Sequence, residues 1–526
     1  MSKGLGSPPL SIGSAGGTLE TSMGVMNTEV TQGGELESIK RSGMFGKLLL
    51  VSRESSNSVR ESIRAGNNTL SYRSTTASIQ AASFTSRTSK QEGAPPQQAS
   101  WVAIAFVMVA EVVGAGVLTL SQKYAELGYV IASLLIVLLF FLLVGTSHLM
   151  VEVRKVFPGI VAISDAADYT FGRTCSWIAH VLLIINLTFV LGDYLLLIGK
   201  SLGSTLYNFH LCSPAWTAIS AAVVAPILGT LRTLHSTTLL CVFSVLTIAV
   251  SVVIVLIALI VQGRPKGIQS PVIAEDLTFL QFFQSFSAIY FTFSGQFMFY
   301  ELMSEMKDFT EFTKTFIIAG PFQVTVYLIV GCVGYYYRGV EASGYFLDNL
   351  GFGWEYRLAS ALLCFHMVVG FVILGNVLSR ILHVSMSSYV NDLGWRGRLE
   401  WLGCTCSVVV LSYVISNLIP FFDLLTSLIG GLFLPILCLC FPVLIYMKMR
   451  FMVEKPLKAW EWLLYVSLLA LGVVIIVVST MGTVKALISN WSTFGAPFSC
   501  HCQEVWNTCE CSPQRMILSG FNCTKT

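Results

Sequence analysis

Two short runs hold the residues best placed for chemistry: VGAGVLTL at 113–120 and YFTFSGQ at 290–296. Each sits inside an otherwise apolar stretch of helix length. Gly114, Ala115 and Gly116 in the first, and Ser294 and Gly295 in the second, bring little side chain to hold a helix together. A break at such residues frees backbone N–H and C=O groups, which a bilayer tolerates only where they line a buried or water-filled cavity. The amino end of a half-helix, with free N–H groups and a positive dipole, suits an anion such as a carboxylate; unwound carbonyls suit an ammonium. On this reading the N–H groups of Gly114, Ala115, Gly116, Val117 and Leu118 face a carboxylate, and Thr292, Ser294 and Gly295 serve an ammonium. The same small residues also permit close helix packing. Two breaks at corresponding points of two halves are nevertheless the pattern of a secondary transporter with its site at the midplane.

Ionisable residues in mid-span are costly and are functional candidates by default. Glu111 stands three residues before Gly114, Asp193 follows Gly192 in the third apolar stretch, and Glu301 lies in the sixth. Each can carry a proton or hold a gate; each can equally serve a structural ion pair. Asp193 has the further option of meeting the ammonium of a basic substrate. His366 reads first as a core histidine. Phe291, Phe293, Phe297 and Phe299 crowd the second run and offer an apolar pocket wall, while Gly370, Gly375 and Asn376 are candidates to complete it.

The elements that must position these residues are membrane helices. Of 526 residues, 54% are hydrophobic and only 12% charged, against about 25% charged in soluble domains. A span needs about 20 mainly apolar residues, and eleven stretches qualify: 100–122, 127–152, 175–199, 214–230, 235–261, 278–304, 315–337, 358–379, 400–419, 423–446 and 461–483. The expected fold is an all-α polytopic membrane protein of about eleven helices. Helices one to five and six to ten form a 5+5 inverted repeat, with one extra helix. Residues 1–98, polar and without an early apolar run, are expected to form a disordered cytosolic tail with no cleavable signal peptide. Residues 99–484 form the transmembrane domain and 485–526 a Cys-rich extracytosolic tail.

Orientation follows from Lys and Arg in the connections. With the amino terminus in the cytosol, inside connections hold thirteen (154, 155, 173, 232, 307, 314, 380, 396, 398, 448, 450, 455, 458) and outside ones six (123, 200, 264, 266, 338, 357). An odd number of spans then puts the carboxy terminus outside. There Asn490 and Asn522 head glycosylation sequons, and Cys500, Cys502, Cys509, Cys511 and Cys523 are disulfide candidates, with Cys212 making an even six. Structural zinc usually wants wider spacing than CxC, so disulfides are preferred in an oxidising lumen and no metal is expected. A net charge of +3 without a basic-aromatic patch gives no sign of nucleic acid.

Several motifs, in order, resemble the amino acid/auxin permease family: VGAGVLTL followed by AELGY (125–129), VEVRKVFPG (151–159), YELMSEMKDFTEF (300–312) and ISNLIPFFDLLTSLIGG (415–431). The resemblance spans roughly residues 100–484. It implies the leucine-transporter-like fold, an amino acid substrate or close analogue, and a co-transported cation. It also implies that Glu301, which matches a glutamate of the family's sixth helix, closes an inner gate. Sodium-coupled relatives place an asparagine four residues before the Gly-small-Gly core; here that position is Ala110, with Glu111 next to it. A methyl cannot ligate sodium and a carboxyl can carry a proton, so proton-coupled symport is the expectation. The plasma membrane and a vacuolar or lysosomal membrane stay open, since the outside of one is the lumen of the other. An amino acid sensor of the same fold, signalling through residues 1–98, is the competing reading. No nucleophile elbow, phosphate loop or cofactor motif suggests an enzyme.

Overall fold

The computed structural model describes residues 99–112, 114–206, 209, 211–231, 238–275, 277–293, 295–386, 394–419, 422–494 and 497–498, without the side chains of 111–112, 238–239 and 490–494. The described residues form helices and their connections, with one isolated parallel bridge between Ala99 and Met306. Among the described residues, nine helical runs are long and apolar enough to cross a membrane unbroken, and a tenth span is a bent pair.

That bent pair is α1 (Trp101–Val112), a tight 3-10 turn (Ala115–Thr119) and α2 (Leu120–Leu127), with a 42° bend at the break. Next come α3 (Tyr129–Val156), a short α4 (Ile163–Phe171), α5 (Arg173–Thr205), α6 (Ser213–Thr230) and α7 (Thr238–Gln262). The sixth expected span is two short pieces, α8 (Phe279–Phe291) and α9 (Phe299–Glu305), joined through a 3-10 turn (Gln296–Met298). Neither piece is long enough to span alone, so the expected eleven become ten by length plus this broken one. The chain then forms α10 (Thr315–Arg338), α11 (Trp354–Met386) and α12 (Trp395–Leu418). The next run, Phe422–Met452, starts as α13 (Phe422–Leu428), widens through two π stretches (Ile429–Phe433 and Pro435–Cys440) and ends as α14 (Phe441–Met452). The last helix, α15 (Ala459–Phe494), runs eleven residues beyond the expected limit of 483 and takes in Asn490.

Close approach sets the packing of α8 against its neighbours. A Cβ on Gly430 would lie 2.1 Å from the Ser287 carbonyl oxygen, one on Gly431 2.8 Å from Ser479 Cβ, and one on Gly482 3.0 Å from the Leu280 carbonyl oxygen. Only glycine lets these backbones meet, and Ser479 Oγ adds a 2.8 Å bond to the Phe283 carbonyl. Counting along the chain, α1 starts at one face of the bundle, called here the near face. Gly128, at φ +81°, turns the chain at the opposite, far face, where a Cβ would lie 2.6 Å from the Val272 carbonyl oxygen.

Candidate functional site

The two breaks meet. Gly116 presses on Thr292 so closely that a Cβ would sit 2.6 Å from Thr292 Cγ2 and 2.9 Å from its Cα. Gly114, Ala115, Gly116, Val117 and Leu118 are all buried, as are Thr292 and Gly295. The first N–H groups of any helix lack partners within it, so the turn at Ala115–Thr119 presents donors beside the second break. Ser294 lies outside the described residues.

The carbonyls of the second break are already partly engaged. Tyr327 Oη of α10 donates to the Thr292 carbonyl at 2.8 Å, Gly295 N to the Phe293 carbonyl at 3.3 Å, and Met298 N to the Gly295 carbonyl at 3.0 Å. Each oxygen keeps a second lone pair for an ammonium. Tyr327 also meets Phe293 edge-on at 5.1 Å between ring centroids, and Phe293 leans on Phe140 of α3 at 6.5 Å. Gln296 Nε2 donates to Thr146 Oγ1 at 3.1 Å, fixing the start of the second half-helix to α3.

The acidic candidates separate. Glu111 belongs to the last turn of α1, and its side chain lies outside the described residues. Asp193 is fully buried in α5, both carboxyl oxygens 3.5 Å from Thr426 Oγ1 of α13. That hydroxyl already donates to the Phe422 carbonyl at 2.7 Å, so it holds the carboxyl only weakly. Glu301 sits in α9 towards the near face, its carboxyl oxygens buried and without hydrogen-bond partners among the described residues. Beside it Arg154 Nη1 of α3 donates to the Tyr300 carbonyl at 2.8 Å, and its guanidinium carbon lies 5.1 Å from the centre of the Phe309 ring.

The residues of α11 make packing contacts and hydrogen bonds. A Cβ on Gly370 would meet Tyr194 Cε2 at 2.8 Å and one on Gly375 would meet Leu228 Cδ2 at 3.1 Å, so both glycines seat α11 against α5 and α6. Asn376 Nδ2 donates to the Leu231 carbonyl at 2.7 Å, and His366 Nδ1 pairs with Ser244 Oγ at 2.8 Å, as a core histidine does. Two residues escaped the sequence reading: Tyr327, whose hydroxyl caps the second break, and Gln323, a fully buried amide one turn earlier on α10. A lone amide in an apolar span is a usable signal, but the seventh span was given no candidate.

A helical bundle whose first and sixth spans break and touch at mid-depth is a multi-pass integral membrane protein. Residues 97–485 match the family described as transmembrane amino acid transporter protein, and the chain belongs to that family, one of transporters and not of enzymes. Among curated relatives, the N amino acid transport system protein of Neurospora crassa is 25% identical over 68% of this chain and 78% of its own length. Amino acid permease 8 of Arabidopsis thaliana is 25% identical over 74% of this chain and 90% of its own. The crystal structure of MhsT in complex with L-phenylalanine aligns over 76% of this chain and 100% of its own, at 15% identity and a TM-score of 0.48.

Proposed function

We propose that the chain is a secondary active transporter that moves amino acids or close analogues by alternating access, with protons as the co-transported ion. The observation that carries this is the contact of Gly116 with Thr292. It brings amide donors and carbonyl acceptors together at one buried point, as a molecule bearing a carboxylate beside an ammonium requires. Membership of the amino acid transporter family and the names of the relatives support the substrate class. The apolar Ala110 and the neighbouring carboxyl of Glu111 favour the proton over sodium. Asp193 and Glu301 are the other carboxyls proposed for coupling or gating.

The near face is assigned to the cytosol on the excess of Lys and Arg there, with residues 1–98 on that side and 485–526 outside it. Asn490 and Asn522 are the proposed glycosylation sites. Cys212, which is not among the eight free cysteines of the described residues, is proposed to pair with one of the five tail cysteines. The membrane is that of the cell surface or of an acidic organelle.

The test is uptake by liposomes of a mixed pool of labelled amino acids, under an inward proton or an inward sodium gradient, for wild type and Glu111→Gln. Proton-driven uptake abolished in the variant is expected. Sodium-driven uptake would overturn proton coupling, and absent uptake with retained amino acid binding would overturn transport in favour of sensing.

A further inference from the structure

Gln323 of α10 is 0% exposed, and neither Nε2 nor Oε1 of its carboxamide has a hydrogen-bond partner among the described residues. Buried polar groups are almost always paired, and one that is not calls for a ligand or a water.

The depth and the facing of the side chain follow from its neighbours along α10. Thr315 Oγ1 contacts Met108 Sδ of α1 at 4.0 Å, and the Val330 carbonyl accepts from Ser121 Oγ of α2 at 3.1 Å. Helix α10 therefore runs parallel to the broken first span. Gln323, midway between those two contacts, lies at the depth of the turn at Ala115–Thr119, against which α10 packs. Residues seven before, four after and seven after share its face. Phe316 meets the Phe299 ring of α9 at 6.0 Å, Tyr327 donates to the Thr292 carbonyl, and Val330 accepts from Ser121. Tyr327, on that face, reaches the second break, and α10 packs against the turn of the first.

We propose that Gln323 is a substrate-binding residue, its Nε2 donating to the carboxylate of the bound amino acid beside the N–H groups of the first break. The assignment rests on the transporter reading above and specifies one side-chain contact within it. The carboxylate is common to every substrate, so the contribution is the same whatever the substrate side chain. Because the amide is unpaired without substrate, replacing it by an apolar group leaves the folded protein as stable or more so.

The experiment compares wild type with Gln323→Leu and Gln323→Glu in liposomes, using a panel of labelled neutral amino acids with apolar and polar side chains, alongside thermal melting in detergent. Gln323→Leu is expected to raise KM about 10- to 100-fold for every member of the panel while melting no lower than wild type. A residue that merely holds the fold would lower the melting temperature together with affinity. Gln323→Glu, which sets one carboxylate against another, is expected to lose at least as much affinity. Gln323→Met replaces the leucine variant should that fail to fold. An unchanged KM in a transporting protein would overturn the assignment alone, and a loss confined to polar side chains would show that Gln323 reads the side chain. Wild-type protein that neither binds nor takes up amino acids would overturn the transport reading and this assignment with it.

Discussion

The far and near faces of the bundle differ in how their buried charged groups are matched. At the far face Lys200 Nζ of α5 pairs with Asp348 Oδ2 at 2.6 Å, both nearly buried, and lies 3.9 Å from the centre of the Tyr345 ring. Asp348 also accepts from Tyr356 Oη at 2.8 Å, Tyr356 meets Ser204 at 3.0 Å, and Ser201 meets Tyr345 at 3.0 Å. Arg338 Nε donates to the Asn349 carbonyl, and the turn at Phe346–Asn349 packs on the first break. Towards the near face the Glu301 carboxyl, Arg154 Nε, Tyr300 Oη, the Asn186 amide and Ser379 Oγ are all buried without partners among the described residues. A region whose polar groups are matched can stay shut, whereas one whose groups are unmatched must take in water or rearrange to satisfy them. Among the described residues, the far face carries the matched buried ion pair and the near face the unmatched carboxyl.

Removing one member of the far-face pair should give the largest effect. Lys200→Met leaves the Asp348 charge buried and uncompensated and is expected to cost about 3–5 kcal/mol of stability, read as a fall in melting temperature. The double change Lys200→Met with Asp348→Leu should restore most of that loss. If the single variant melts like wild type, the far face is not held by this pair. At the level between the faces, Gly116→Ala drives a methyl into Thr292 and is expected to cost about 1–3 kcal/mol and to abolish uptake in protein that still inserts. Tyr327→Phe removes one bond to the second break and should cost about 1 kcal/mol, with a measurable rise in KM. Glu301→Gln, at the near face, is expected to change stability by no more than about 0.5 kcal/mol, because no hydrogen bond among the described residues is lost. Its effect should instead appear as slower uptake; a melting loss as large as that of Lys200→Met would erase the distinction between the charged groups of the two faces.

Much of this frame was legible in the sequence. Small residues at 114–116 and at 295 marked both breaks, because a helix without side-chain support cannot hold its turns. The broken sixth span was foreseen as a feature, though its two pieces of 13 and 7 residues fall below a length rule for spans. Length rules also passed over α4, since nine residues cannot cross a bilayer. The far-face pairing was hidden for another reason. Lys200 and Asp348 are 148 positions apart, and Lys200 read as a solvated cation counted towards orientation. Gly370, Gly375 and Asn376 had the composition of a site wall, but small residues serve tight packing equally well, and here they do so. Gln323 was missed because a single amide barely alters the apolar character of a span.

The glycine contacts of α8 set the kinematics of the bundle. Gly430 against Ser287, Gly431 against Ser479 and Gly482 against Leu280 leave no gap into which α8, the π stretch or α15 can slide. Close packing of this kind favours movement of the three elements as a unit. A motion that opened the breaks would then carry them together and bend the chain where α8 gives way to α9.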